Sequence, residues 1–179
     1  MNITGGIYNR QKITAPDENI TRPTLSKVRM SVFNTLSSLM NFNDKSFLDM
    51  YAGSGIMGLE ALSRGFGEIT AIEKNKKAYN IIKSNFARYE KENNITLIFG
   101  DSLKLIPRMN KRFDVVYIDP PYFSGIYEKS LNIIKDICNG IVILEHVVPI
   151  DFFEDFELIK QKKYSDKYVT FLRYNKQQE

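Results

Sequence analysis

From residue 46 onward the chain alternates short apolar runs with longer stretches of helical periodicity, and that alternation most restricts the folds open to it. Residues 46–50 (SFLDM), 69–72 (ITAI), 95–99 (ITLIF), 115–118 (VVYI) and 141–144 (IVIL) predict strands. They are rich in β-branched residues and nearly continuous, as strands covered on both faces are. Between them, residues 56–64, 75–93, 102–110 and 125–138 predict helices. Strand–helix–strand units at this pitch imply right-handed crossovers and an open parallel sheet. The last two runs, 156–164 and 167–174, are joined only by Ser165 and Asp166. A link that short makes an antiparallel hairpin. The fold class expected is therefore α/β, a mostly parallel seven-stranded sheet that closes on an antiparallel hairpin.

The first 43 residues have a different texture. Apolar residues are scattered, with Gly5-Gly6, Pro16 and Pro23 as punctuation. Over residues 1–40, Arg10, Lys12, Arg22, Lys27 and Arg29 stand against only Asp17 and Glu18, so most of the net charge of +4 sits here. Residues 24–40 predict a helix, with Leu25, Val28, Val32, Leu36 and Leu39 at threes and fours and Thr24 as its N-cap. Two units are expected: residues 1–43, a small basic extension of strands and a helix, and residues 44–179, the α/β domain. The excess of positive charge is compatible with a nucleic-acid partner.

A glycine loop follows the first strand. Asp49-Met-Tyr51-Ala52-Gly53-Ser54-Gly55-Ile-Met-Gly58 matches G-x-G-x-x-G and opens a helix, and Glu73 ends the next strand. Glycines permit the tight turn and let backbone N–H groups approach a ligand. A carboxylate at Glu73 suits a ribose diol. These features fit any adenosine-bearing cofactor, NAD and S-adenosylmethionine alike. Asp49 separates the two. A carboxylate four residues before the first glycine is awkward beside a pyrophosphate and suits the ammonium end of a methionine moiety. Its competing role is to cap the loop by accepting from backbone amides.

After the fourth strand comes Asp119-Pro120-Pro121-Tyr122. Paired prolines enforce extended geometry and lack N–H donors, so their carbonyls project rigidly. The Asp119 carboxylate and the Pro120 carbonyl make two acceptors at the end of a central strand, and Tyr122 adds a flat aromatic face. That set matches an exocyclic amine on a planar base, accepted at both N–H bonds and stacked. The alternative, a plain turn, explains Asp and Pro but not their place downstream of a glycine loop.

Weaker signals complete the reading. Asp101 and Ser102 follow the third strand, where Asp101 either accepts from an adenine amine or N-caps the next helix. The basic residues Lys74, Lys76, Lys77, Lys83, Arg88 and Lys91 read as a solvated helix face. His146, Phe152, Phe153 and Phe156 read as structural. One cysteine, Cys138, and one histidine give no zinc-site spacing and no intramolecular disulfide. No apolar run reaches the length of a membrane span and no secretory h-region is present, so a cytoplasmic protein without a metal is expected, and nothing demands more than a monomer.

Taken together, residues 3–13 (ITGGIYNRQKI), 22–36 (RPTLSKVRMSVFNTL), 47–65 (FLDMYAGSGIMGLEALSRG) and 114–122 (DVVYIDPPY) resemble the bacterial RsmD-type small-subunit rRNA guanine-N2 methyltransferases. The resemblance implies a Rossmann-like class I methyltransferase fold, S-adenosylmethionine as cofactor, and a single guanine of 16S rRNA as target, in rRNA or in assembling 30S particles. It implies that Asp119 to Tyr122 hold the base and that Asp49 to Gly55, Glu73 and Asp101 hold the cofactor, with Ser102 beside Asp101. The basic set Arg10, Lys12, Arg22, Lys27 and Arg29 would contact RNA phosphates. The chain departs from the family pattern at Asn9-Arg10-Gln11-Lys12, where Arg-Gly-Arg is usual, and at Ser26 and Met30, where the family is acidic. An adenine-N6 methyltransferase would use a similar Asp-Pro-Pro-aromatic motif. An NAD-dependent oxidoreductase would account for the glycine loop but not for Asp119 to Tyr122.

Overall fold

A computed structural model describes residues 1–17, 24–121, 125–147, 150 and 155–175. Seven strands form one sheet: β1 (Ser46–Asp49), β2 (Glu68–Glu73), β3 (Asn94–Phe99), β4 (Phe113–Ile118), β5 (Cys138–His146), β6 (Phe156–Tyr164) and β7 (Lys167–Tyr174). Their spatial order is β3-β2-β1-β4-β5-β7-β6. Strands β1 to β5 pair in parallel, and β7 runs antiparallel between β5 and β6. Parallel neighbours require crossovers, supplied by α2 (Ile56–Ser63), α3 (Lys76–Phe86), α4 (Ser102–Leu105) and α5 (Ile126–Ile134), while α1 (Ser26–Leu39) precedes the sheet.

Two apolar clusters lie on the two faces of the sheet. One gathers Phe47, Ala71, Val115, Tyr117 and Ile143 with α2 and α3, and the other gathers Leu48, Ile72, Val116, Ile118 and Leu144 with α5. Neighbouring residues on a strand enter opposite clusters, the period-two alternation of a sheet covered on both sides. Residues 1–43 share the first cluster: Ile3, Ile13, Val28, Val32, Phe33, Leu36 and Phe42 pack into it beside Phe47 and Phe66. The change of texture near residue 43 is therefore not a break in the core.

Four local expectations are revised. The helix expected over 75–93 stops at Phe86, because Tyr89 turns toward the amino-terminal segment, packs its ring at a tilt against Tyr8 with centroids 4.7 Å apart and donates its hydroxyl to Gln11. The helix expected over 102–110 gives way after Leu105 to a 3₁₀ turn, Ile106–Arg108. Pro107 has no N–H with which to continue the ladder. Strand β3 lies at the edge of the sheet and is only half covered, leaving Phe99 47% exposed. Thr24 does not cap α1. The cap residue is Leu25, which offers no side-chain bond, while the Thr24 carbonyl accepts from the Arg29 guanidinium.

Candidate active site

The carboxyl ends of β1, β2 and β4 open on one cavity of about 360 Å³. Its wall includes Asp49, Tyr51, Ala52, Gly53, Ser54, Glu73, Ser102, Asp119, Pro120 and Pro121, which the sequence singled out. Open α/β sheets bind ligands at such a place, where successive crossovers leave in opposite directions. Here β1 lies between β2 and β4, so its end marks the reversal.

The loop after β1 is fastened before any ligand arrives. The Ala52 amide donates to the Ile72 carbonyl at 2.9 Å, and the Gly53 amide donates to Glu73 Oε2 at 2.8 Å. Glu73 Oε1 accepts from the Asn75 amide at 2.6 Å. Each oxygen retains a further lone pair, so Glu73 can shape the loop and still accept from a hydroxyl. Gly55 does not line the cavity. It takes φ +75° at the start of α2, and a Cβ there would lie 2.9 Å from Ile82 and 3.0 Å from Phe86. Its function is to let the loop turn against α3.

Asp49 lies at the end of β1 in the cavity wall. It is buried, and neither carboxylate oxygen has a hydrogen-bond partner among the described residues. Burial, then the charges of Asp119 and Glu73, push its pKa up to about 8, and the nearby Tyr51 amide restrains the rise. The Tyr51 hydroxyl is 2.8 Å from Ser130 Oγ on α5, which pins the ring at the cavity wall.

Asp119 leaves the end of β4 with its side chain 17% exposed. Burial and the charge of Glu145 push its carboxyl up to about 7, and Lys167 pulls it back. Lys167 Nζ lies 3.7 Å from Asp119 Oδ2 and 3.2 Å from Glu145 Oε2. Glu145 Oε1 accepts the Tyr117 hydroxyl, whose own pKa burial raises well above the usual phenol value. Lys167 and Glu145 belong to no motif read from the sequence, and Thr24 and Tyr117, which fall within segments 22–36 and 114–122, were given no role in a site. The one signal available was Glu145, a carboxylate at the carboxyl end of the strand beside β4. Lys167 needs the placement of β7, whose antiparallel course brings its first residue back to that same end.

The remaining expected residues separate. Asp101 caps α4, accepting from the Leu103 amide at 3.1 Å, and Ser102 donates to the Met50 carbonyl. Arg10, Lys12 and Lys27 face solvent. Arg29 does not: it is 3% exposed and bonds Glu60 at 3.0 Å and the Asn2 carbonyl at 2.8 Å. An arginine committed to a buried carboxylate cannot also hold a phosphate, and its expected place in an RNA-contacting set is withdrawn. Tyr122, Arg22, Phe152 and Phe153 lie outside the described residues. His146 ends β5 rather than following it, and is buried with its Nε2 2.8 Å from Thr170 Oγ1. Phe156 is buried in the core.

A family described as Conserved hypothetical protein 95 matches residues 1–173. The chain belongs to that family. Among its relatives, ribosomal RNA small subunit methyltransferase D of Escherichia coli (strain K12) is 31% identical over 149 residues, covering 83% of this chain and 73% of the relative. YlbH of Bacillus subtilis (strain 168) is 30% identical over 153 residues, 82% of each chain. The solved structure of yhhF from Escherichia coli superposes with a TM-score of 0.87 at 26% identity, covering 99% of both chains. The sheet of this chain, mostly parallel with antiparallel strands at its end, is the one expected from the alternation of apolar runs. No described helix is long and apolar enough to cross a membrane.

Proposed function

We propose that this chain transfers a methyl group from S-adenosylmethionine to the exocyclic N2 amine of one guanine in 16S rRNA, on rRNA or on an assembling small subunit. The observation that carries the reading is that one cavity joins a buried, unpartnered Asp49 carboxylate to the acceptor pair of Asp119 and Pro120. A lone carboxylate in low dielectric calls for a cation. Asp49, Glu73 and Asp119 border the cavity beside Lys74 and Lys167, and the buried Asp49 carboxyl ionises readily only next to a cation, which favours a cationic cofactor over a pyrophosphate. The residues therefore fit S-adenosylmethionine: Asp49 takes its ammonium, Glu73 its ribose hydroxyls, and the start of α4 at Asp101 and Ser102 its adenine end.

Bound there, the cofactor supplies a methyl group on a sulfonium, already a strong electrophile. The chain's own work is positioning. The amino nitrogen of a base is a weak nucleophile because its lone pair is delocalised into the ring. Asp119 and the Pro120 carbonyl accept its two N–H bonds, which favours pyramidal nitrogen and aims the lone pair along the transfer axis. The proton that the amine would give up on gaining a methyl group would pass to the Asp119 carboxylate or to water. Guanine rather than adenine follows from the resemblance of residues 3–13 and 22–36 to the guanine-N2 enzymes. Arg10, Lys12 and Lys27 carry the phosphate contacts in this reading.

The test is transfer of labelled methyl to 16S rRNA and to partly assembled 30S particles made without this protein, followed by nucleoside digestion. N2-methylguanosine is the expected product. N6-methyladenosine would overturn the base, and absence of transfer to both substrates would overturn the reaction. Asp119→Ala should lower transfer by about 10²–10³-fold, as removal of a transition-state acceptor does, with S-adenosylhomocysteine affinity by calorimetry unchanged.

A further inference from the structure

Lys167 belongs to no motif, yet it stands where two cavities meet. It lines the 360 Å³ cavity together with Asp119 and also a second of about 270 Å³, bordered by Thr24, Leu25, Val28, Glu145 and Tyr164. Its side chain is only 15% exposed and its ammonium lies between two carboxylates, 3.7 Å from Asp119 and 3.2 Å from Glu145. Glu145 is fully buried and fixed from the other side by the Tyr117 hydroxyl. Three neighbouring strands thus supply a chain, Tyr117 on β4, Glu145 on β5 and Lys167 on β7, that ends on Asp119.

We infer that Lys167, held by Glu145 and Tyr117, is a positioning residue that keeps the Asp119 carboxylate ionised and oriented toward the target amine. The inference rests on the reading of Asp119 as acceptor for that amine. A protonated carboxyl has lost one acceptor site and the negative charge that stabilises the nitrogen as it gains a methyl group. Glu145 alone would drive Asp119 toward that neutral form, since like charges cannot share a buried site, whereas a cation at this distance opposes it. Glu145 therefore has two opposed effects: it repels Asp119 directly, and it anchors the ammonium that compensates.

Among the described residues, four charged or titratable groups act on Asp119 or feel its charge. Asp49 comes from β1, Tyr117 from β4, Glu145 from β5 and Lys167 from β7. His146 lies on the other face of β5, stacked on Tyr168 and near Tyr127. With cofactor saturating, Asp49 is neutralised by the ligand's ammonium, and Asp119 is left as the group whose ionisation governs the acidic limb.

The measurement is the pH profile of kcat/KM for RNA at saturating S-adenosylmethionine, which reports groups of the cofactor-bound enzyme. Lys167→Met should move the acidic limb upward by about 1–3 pH units, the effect of losing an adjacent opposite charge, with activity recovering at high pH. Glu145→Gln should move it downward, because a repelling charge is lost and the ammonium turns to Asp119 alone. Lys167→Arg should leave the limb within about half a unit of wild type, since the charge is retained. Opposite displacements in the two charge-removing variants are the signature. A uniform loss of activity at every pH, or an unmoved limb, would overturn the inference. If Lys167→Met fails to bind S-adenosylhomocysteine, the Glu145→Gln profile decides alone: a downward shift supports and an unmoved limb overturns. Failure of the underlying reading shows separately, as full methylation by Asp119→Ala.

Discussion

Asp49 is at odds with its surroundings, and a single oxygen-to-nitrogen exchange exposes how much. Its carboxyl has a pKa of about 8 in the folded chain, against about 3.9 when unfolded. Between those values the folded state holds a proton that the unfolded state has released, so stability falls as pH rises through that window. Asp49→Asn removes the penalty. Without cofactor the variant should melt several degrees above wild type at pH 8.5 and converge with it near pH 4, as read by scanning calorimetry. The same variant should lose about 10–100-fold in S-adenosylmethionine affinity, the worth of one charge-assisted bond. A residue that weakens the empty protein and strengthens the loaded one is an expected compromise of a binding site. Asp49 and Asp119 were legible from spacing alone, because strand–loop geometry is local. Lys167 and Glu145 were not, since their meeting depends on β7 inserting beside β5. Arg29 departs from its expected role although its spacing held the answer: it shares the buried face of α1 with Val28, Val32 and Leu36, and a charge on an apolar stripe is a charge with a partner.

At the scale of elements, α2 ties the glycine loop to the amino-terminal segment. Its amino end carries the glycine loop, and its far half holds the amino-terminal segment. Glu60 accepts from the Thr4 amide at 2.8 Å, from Arg29 at 3.0 Å and from Arg64, while Ser63 Oγ accepts from the Tyr8 amide at 2.9 Å and donates to the Gly5 carbonyl at 2.5 Å. Arg29→Met leaves a buried carboxylate short of a cation, and breaking a buried pair from one side costs about 3–5 kcal/mol. Urea unfolding should show that loss with an unchanged m-value. The helices and strands themselves were mostly legible because apolar periodicity reports burial. Their ends were not. Tyr89 and Pro107 stop helices for reasons of distant packing and a missing donor, and neither shows in a pattern of apolar spacing.

For the whole molecule, the exposed cations Arg10, Lys12 and Lys27 all lie within the first 43 residues. Binding of RNA should weaken steeply with salt. In the proposed reading, Arg10→Ala with Lys12→Ala should reduce the slope of log K against log salt by about 0.7 for each single-stranded phosphate that is no longer neutralised, measured by filter binding across a salt series. An unchanged slope would remove those two residues from the interface. The mostly parallel sheet with an antiparallel close was implied by an alternation ending in a tight hairpin, whereas the order of its strands and the joint core of residues 1–43 with the sheet were not, because scattered apolar residues carry no period. That joint core has a consequence for synthesis. Thr4, Gln11 and Thr14 find their partners at Glu60, Tyr89 and Asn85, between 56 and 78 residues further along. At about 5–20 residues per second, the ribosome needs several seconds to make those partners. The amino-terminal segment is made before them and secured after them, so during its own translation this chain carries its basic residues on an unfastened arm.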